Sequence, residues 1–273
     1  QHEVAYFLGV VRRRLGQDEA ARRAFERIPE EHDRYADART QIAAIHERRG
    51  ELEAALAEVE RARALEPGRP LDLYLASLRA KAGDVEGALD FLESLLEESP
   101  DDAEVLYNIG VIHGEARNVD EAIRYMKIVL GIDPDHAGAL NYVGYTWAEQ
   151  GTNLDQAEEM IARALELRPG DGYITDSLGW VYYMRAKPLF DRGEVEKGRF
   201  WADRAIEELE RARELTGGDP IVAEHLGDAY LLVGDKERAL RMYEQALHHG
   251  PRDDEQPGLR EKLERLRQEL GAR

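Results

Sequence analysis

The chain has 273 residues and no cysteine, and its 56 acidic side chains outnumber its 37 basic ones, which gives a formal net charge of −19. Without cysteine, this sequence can form no disulfide, no thiol nucleophile and no cysteine-based zinc site. The acidic balance opposes sequence-independent binding to nucleic acid and to anionic membranes, since both require a cationic protein surface.

The sequence contains no apolar run long enough to cross a membrane, so we expect no direct membrane insertion. It begins at Gln1 without a signal-peptide pattern, and any targeting segment is therefore expected to lie outside it. The acidic excess is largest in the middle third of the chain, over 67–171. This excess indicates either a solvated helical surface or long-range steering of a basic partner.

A regular spacing of prolines divides the chain. Pro67, Pro100, Pro134 and Pro169 are separated by 33, 34 and 35 residues, and an alanine stands twelve residues before each of them. A fixed period in this range is typical of stacked helix pairs, and a proline ends the helix before it. The spacing predicts units at about 2–35, 36–68, 69–102, 103–136, 137–171, 172–219 and 220–252, with a capping helix at about 257–270.

Each unit has the apolar pattern of two antiparallel helices. In the fifth unit, Leu140, Val143, Gly144 and Trp147 follow one another at offsets of 0, 3, 4 and 7, which is the helical period. A glycine inside a helix costs about 1 kcal/mol relative to alanine, so a recurrent one needs a reason. The recurrence of this glycine predicts close approach of the second helix in each pair.

The sixth unit is irregular because it runs for 48 residues, from 172 to 219. The excess length predicts two additional turns on each helix, with the tip of the hairpin near 188–193. We expect Pro188 to kink or interrupt the first of these helices. Leu189, Phe190, Phe200 and Trp201 either pack within the hairpin or face a partner.

The last predicted helix carries a leucine stripe at Leu259, Leu263, Leu266 and Leu270. Terminal units of a repeat array need a polar outer face, so this helix is interpreted as a cap. The alternative interpretation is a helix that binds another protein.

The repeated units resemble the tetratricopeptide-repeat pattern W-x2-L-G-x2-Y…A-x3-F…P over nearly the whole chain. The resemblance implies an all-α fold, an α-solenoid (right-handed superhelix) of about seven helix pairs with a C-terminal capping helix. It also implies one uninterrupted solenoid over 1–273. The first unit matches least well, because Asp33 stands where the pattern has proline.

One stretch has a narrower resemblance. Residues 139–183 are similar to a group of tetratricopeptide-repeat lipoproteins of the proteobacterial envelope, and their sequence is ALNYVGYTWAEQGTNLDQAEEMIARALELRPGDGYITDSLGWVYY. Some members of that group act as scaffolds or adaptors that present substrates to a protease. The resemblance implies a periplasmic or membrane-anchored location in a bacterium, with the cytoplasm as the alternative.

No catalytic, metal or cofactor site is expected, and the chain is predicted not to be an enzyme. The sequence has no zinc-protease, P-loop or nucleophile-elbow motif. His113 occupies a packing position equivalent to Trp147, and His248 and His249 end a helix without a third ligand. These histidines are therefore interpreted as structural.

A candidate binding surface follows from the first helices of the units. In the family that the chain resembles, the side of these helices that faces away from the second helix lines a concave groove. Residues in such positions form a cluster rich in aromatic side chains and carboxylates: Tyr107, Asn141, Tyr145, Tyr173, Asp176, Trp180, Tyr183 and Asp228. Exposed aromatic residues with a polar tip are typical interface anchors. The alternative is that several of these tyrosines only stack between neighbouring repeats.

These observations support two hypotheses about function. The first is a non-enzymatic scaffold or adaptor that holds a protein or peptide in the groove. The partner segment is predicted to carry apolar or aromatic anchors and basic residues, and Asn141 could hydrogen-bond its backbone. The second is a structural module that assembles with itself through the long hairpin or the leucine-striped last helix.

Overall fold

The computed structural model describes residues 1–248, 256 and 258–271. Over those residues the chain forms fifteen α-helices and no strand. Helices follow one another as antiparallel pairs joined by short links, and they divide between two compact units, Gln1–Tyr125 and Met126–Arg273. The expected all-α fold of about seven helix pairs with a final single helix is confirmed. That the array is one uninterrupted solenoid stays a prediction.

The first unit contains three complete helix pairs and most of a fourth. The helices are α1 His2–Arg14, α2 Asp18–Phe25, α3 Tyr35–Arg48, α4 Leu52–Leu65, α5 Arg69–Lys81, α6 Val85–Glu98 and α7 Ala103–Glu115. Helix α8, Val119–Ile132, begins in this unit and ends in the second. Within the first unit, Tyr125 of α8 stacks on His113 of α7 with ring centroids 5.6 Å apart, which is the packing role predicted for that histidine.

The core of the first unit repeats one contact three times. In each case, an alanine and larger apolar residues of a second helix pack against apolar residues of the next first helix. The clusters are Ala21, Phe25 and Ile28 against Ala38, Ile42 and Ile45; Ala55 and Val59 against Leu75 and Leu78; and Ala88 and Leu92 against Val105, Ile109 and Ile112. Burial of these apolar side chains, rather than contacts between pairs that are distant in sequence, therefore joins each helix pair to the next one along the chain.

The second unit continues with helices that keep the same alternation. They are α9 Ala137–Glu149, α10 Leu154–Leu167, α11 Gly172–Asp191, α12 Val195–Leu215, α13 Pro220–Leu232, α14 Lys236–His248 and α15 Leu259–Gly271. First helix α9 packs against α11, and α11 packs against α13, so three first helices lie side by side. The side chains of the candidate site in this unit project from these three helices.

Close approach of the two helices in a pair explains the recurrent glycine. A Cβ atom built on Gly144 would lie 2.7 Å from Cγ1 of Ile161 and 3.0 Å from the carbonyl oxygen of Ala157. On Gly179 it would lie 2.6 Å from Cγ of Leu209. The two carbon–carbon distances, to Ile161 and to Leu209, are shorter than the closest approach of carbon atoms that are not bonded to each other. The predicted reason for these glycines is confirmed.

The irregular sixth unit forms the expected long hairpin. Helix α11 has 20 residues and α12 has 21, against 13 in α9 and 14 in α10. The expectation that Pro188 interrupts α11 is wrong, because the helix continues to Asp191 and the backbone N–H of Arg192 donates to the Pro188 carbonyl. Proline lacks the N–H that would donate to the carbonyl four residues earlier, that of Met184, so α11 continues despite the loss of one backbone hydrogen bond.

Aromatic residues of this hairpin have different surroundings. The ring of Phe190 lies over Gly198, and Trp201 lies between the guanidinium groups of Arg185 and Arg204. Phe200, in contrast, is 57% exposed. The hairpin is thus held together by packing of some of its aromatic side chains, while one remains on the surface.

The last helix packs as a cap. Leu259, Leu263 and Leu266 are buried in the core cluster that also contains Tyr243 of α14. The helix starts at Leu259; Pro257 lies outside the described residues, as do His249 and the predicted end of the seventh unit near 251–252. His248 ends α14 on the exposed surface. Because these three leucines of the stripe face this chain's own core, they are not available for assembly with a second copy.

None of the helices in the described ranges is both long and apolar enough to span a bilayer.

Candidate functional site

A buried ion pair lies at the centre of the predicted cluster. Asp176 of α11 and His225 of α13 are 5% and 8% exposed, and Nδ1 of His225 donates to Oδ2 of Asp176 over 2.9 Å. The two residues stand at neighbouring positions of adjacent first helices, which is why helix packing brings them together despite a separation of 49 residues. The carboxylate named as a candidate charge for a partner thus faces a histidine.

Aromatic rings stack on this pair. The indole of Trp180 lies on the His225 imidazole with centroids 4.1 Å apart and planes inclined by 22°. The Trp180 indole also stacks on the Tyr183 ring, with centroids 4.6 Å apart and planes inclined by 17°. Tyr145 of α9 approaches the imidazole at 6.4 Å. Stacking at these separations stabilises by about 1 kcal/mol per pair beyond the burial of area.

The charge environment favours a protonated imidazole. Burial lowers the pKa of His225, but the charge and hydrogen bond of Asp176, with further contributions from Asp228 and Glu149, outweigh burial and raise it above the ordinary value. Burial also raises the pKa of Tyr145 and of Tyr183, so both hydroxyls stay neutral near pH 7. The site therefore combines neutral phenol groups with a buried ion pair.

Two buried polar atoms of this surface have no hydrogen-bond partner in the described protein. They are the indole nitrogen Nε1 of Trp180, which can only donate, and the amide oxygen Oδ1 of Asn141, which can only accept. A buried polar group left without a partner costs about 1–3 kcal/mol. Both atoms are closed off from solvent, so a ligand could bond to them only after neighbouring side chains move aside.

The C-terminal side of the site is closed by α15. Nζ of Lys262 donates to Oδ2 of Asp228 over 2.8 Å and to Oε1 of Glu224 over 2.7 Å. The Tyr243 hydroxyl also donates to Asp228 over 2.6 Å, and Nε2 of Gln256 donates to Glu224. Burial opposes the charge on Lys262, but the two carboxylates raise its pKa. Asp228 is thus neutralised by its own chain.

The structure separates the remaining candidates. Tyr173 is 61% exposed at the start of α11, and its hydroxyl donates to Oδ2 of Asp219 over 3.3 Å. It lies seven residues from Trp180 on α11, or roughly 10 Å along a helix. Tyr107 is half-buried on α7 and belongs to the first unit. Two packed helices of the second unit, α9 and α11, carry the candidates that lie together, which are Asn141, Tyr145, Asp176, Trp180 and Tyr183.

Three residues of this site were not among the sequence candidates: His225, Glu224 and Lys262. His225 lies one residue after a position predicted to face the groove, and its side chain lies between α11 and α13. Helical periodicity alone therefore assigns it to packing. The signal available was a carboxylate and a histidine at neighbouring positions of consecutive first helices. Lys262 could not be found in this way, because its place depends on how α15 packs.

Comparison with known proteins agrees with the repeat geometry. Models of the tetratricopeptide repeat match residues 46–103, 79–141 and 223–257. The photosystem I assembly protein Ycf3 of Rippkaea orientalis is 34% identical over 125 residues, which cover 40% of this chain and 71% of that protein. The chain belongs to the tetratricopeptide-repeat family.

Two further tetratricopeptide-repeat relatives show how far the similarity extends. A repeat-containing protein of Pseudomonas aeruginosa is 30% identical over 140 residues, covering 50% of this chain but only 24% of that protein. This chain therefore matches about a quarter of that relative's length. A tetratricopeptide-repeat protein of Parabacteroides merdae superposes with a TM-score of 0.61 at 20% identity, covering 97% of this chain and 98% of that one, and this shows the shared fold.

Proposed function

We propose that this tetratricopeptide-repeat protein is a non-enzymatic scaffold that holds a peptide segment of a partner protein on helices α9, α11 and α13. Members of the family generally mediate protein–protein interactions, and their repeats bind protein partners. The observation that carries the proposal is the half-buried Trp180 indole, which stacks on His225 and on Tyr183.

The chemistry of a partner segment follows from these groups. A peptide backbone offers a carbonyl acceptor and an amide donor in regular alternation, which matches the requirements of Trp180 and Asn141. The stacked rings favour an apolar or aromatic anchor. Attraction of a basic residue rests on exposed acids such as Glu149 and on the net charge of −19, since Asp176 and Asp228 are already paired.

The proposal is tested with peptides selected from a random display library against the intact chain. Trp180→Ala is expected to weaken the selected peptides about thirty-fold, because truncating an interface anchor costs about 2 kcal/mol or more. Trp180→Phe keeps the stack but removes the donor, and is expected to cost about five-fold, or about 1 kcal/mol. Affinities are measured by isothermal titration calorimetry.

Phe200→Ala is the matched control, since it removes an exposed aromatic ring elsewhere in the second unit. Circular dichroism must show that every variant keeps its helical signal. Peptides that bind Trp180→Ala as tightly as the unmodified chain place the binding surface elsewhere and contradict the proposal.

The finer role, presentation of substrates to an envelope protease from a periplasmic or membrane-anchored position, rests on the resemblance of residues 139–183 alone. It predicts that a selected peptide, fused to a reporter, is degraded faster by envelope extracts when the chain is added. The same acceleration with Trp180→Ala would show that this surface takes no part.

Self-assembly is the second candidate function. Of the two surfaces expected for it, the leucine stripe is buried at three of its four positions, whereas the hairpin leaves Phe200 and Val195 at least half exposed. Light scattering over a range of concentrations separates the candidates, because a strict monomer excludes assembly through the hairpin.

A further inference from the structure

Helix α1 carries an apolar stripe that nothing in the described chain covers. Val4, Phe7, Leu8, Val11 and Leu15 lie along it, and their exposed fractions run from 38% to 70%. The spacing of these residues places them on adjoining faces of one helix. Contiguous apolar surface of this kind on a protein marks an interaction site.

The stripe occupies the positions that join one repeat to the next elsewhere in the first unit. Counted from the glycine or alanine at the close-approach position (Gly9, Ala43, Ala76 and Gly110), Leu8 and Val11 correspond to three buried pairs in the following first helices. Those pairs are Ile42 and Ile45 of α3, Leu75 and Leu78 of α5, and Ile109 and Ile112 of α7. Leu8 and Val11 are 38% and 53% exposed, whereas the six equivalents are 3% exposed or less.

The same kind of surface covers the buried pairs of α3, α5 and α7. The second helix of the preceding pair presents an alanine, then a large apolar residue four positions later, as in Ala21 with Phe25, Ala55 with Val59, and Ala88 with Leu92. In every case a short link joins the end of this second helix to the start of the helix that it covers. Helix α1 therefore has apolar residues at the same positions as the helices that follow another repeat.

A second copy of this chain has no free surface of the required kind among its described residues. The matching set at its C-terminal end, Ala239, Tyr243 and Ala246 of α14, is buried in one cluster with Leu259 and the other leucines of α15. The two ends of the array thus differ. One end is closed by a helix with a polar outer face, and the other presents apolar side chains to solvent.

We propose that α1 is a docking surface for a further tetratricopeptide helix pair, tethered directly ahead of Gln1, whose second helix presents alanine and a large apolar residue four positions apart. The exposed stripe and its buried equivalents carry the proposal.

The test uses the chain's lack of cysteine, which makes a single introduced thiol a clean probe. Residues 35–68, which contain the pair α3 and α4 and its natural link, are fused directly ahead of His2 in a Val11→Cys chain. The rate of thiol labelling at this position is expected to fall at least ten-fold relative to the unfused Val11→Cys chain. Phe200→Cys in the same two chains is the control, and its labelling rate should not change.

A second fusion makes the result specific. The added pair carries Val59→Glu in its own sequence, which places a charge where the large apolar residue should meet α1. This fusion is expected to restore rapid labelling. The proposal is overturned if the unaltered fusion, shown by circular dichroism to have gained helix, labels as fast as the unfused chain. It is equally overturned if labelling of the unfused chain slows as its concentration rises, because a second copy then covers α1.

Discussion

At the scale of single residues, the pair of Asp176 and His225 decides how the binding surface is built. The carboxylate holds the imidazole in one orientation, and the imidazole in turn supports the Trp180 indole. A charged group this deeply buried is tolerated because its partner lies within hydrogen-bonding distance. The surface that a peptide would meet is thus positioned by residues that the peptide does not touch.

Protonation of His225 links this pair to stability. Its pKa is raised in the folded chain, so its stabilising contribution is fully present below the unfolded value near 6.5 and is lost as pH rises through the folded value. Asp176→Asn removes the charge that raises the pKa. At pH 6 the variant is expected to be about 2 kcal/mol less stable than the unmodified chain, and the difference should shrink by pH 9.

Urea unfolding at both pH values measures this difference, and all other titrating groups are common to the two chains. His225→Gln is the companion variant, since it removes the titrating group itself. A difference between the Asp176→Asn and unmodified chains that stays constant from pH 6 to pH 9 would show that the imidazole does not titrate in this pair.

At the scale of helices, proline and alanine spacing predicted the helix pairs because each pair is a local unit. Periodicity alone predicted close approach of the second helix at Gly144, and the structure places Ile161 of that helix against it. Interruption of α11 at Pro188 was wrongly predicted, because the packing of the hairpin keeps the helix together despite one missing backbone hydrogen bond, and a kink there stays a prediction. Periodicity assigned Trp180 and Tyr145 to equivalent faces of their helices. Their histidine neighbour depends on the register between two first helices, which no single-helix pattern contains.

Gly144 gives a quantitative test of helix approach. The added Cβ of Gly144→Ala would meet the Ile161 side chain and a backbone oxygen, and overpacking of this kind costs about 1–3 kcal/mol. The better helix propensity of alanine returns about 1 kcal/mol. The net expectation is a loss of roughly 1 kcal/mol, measured by chemical unfolding.

Gly131→Ala is the matched control, because a Cβ at this helical position meets nothing within 4 Å. That change is expected to leave stability unchanged or to raise it by up to about 1 kcal/mol. Equal changes in the free energy of unfolding for the two substitutions would mean that close approach of α9 and α10 does not require glycine at position 144.

At the scale of the whole molecule, the two ends of the array are chemically complementary. Helix α14 presents Ala239, Tyr243 and Ala246, in the pattern on which α3, α5 and α7 pack, and α15 covers it. Helix α1 presents the matching apolar stripe without a cover. An interface between unlike surfaces of identical copies does not close on itself unless the rotation permits it, and it otherwise produces open chains. We therefore expect the cap to prevent head-to-tail association of copies through α14.

Loss of the cap should then convert the chain into a head-to-tail polymer. Leu263→Asp places a charge in the buried contact of α15 and is expected to release that helix, since burial of an unpaired charge costs several kcal/mol. Sedimentation velocity at micromolar concentrations should show species larger than a dimer. Adding Val11→Asp on α1 should return the same chain to a monomer, because it removes the surface that occupies α14. If the double variant associates as strongly as Leu263→Asp alone, the association does not pass through α1, and general exposure of the core is the better explanation.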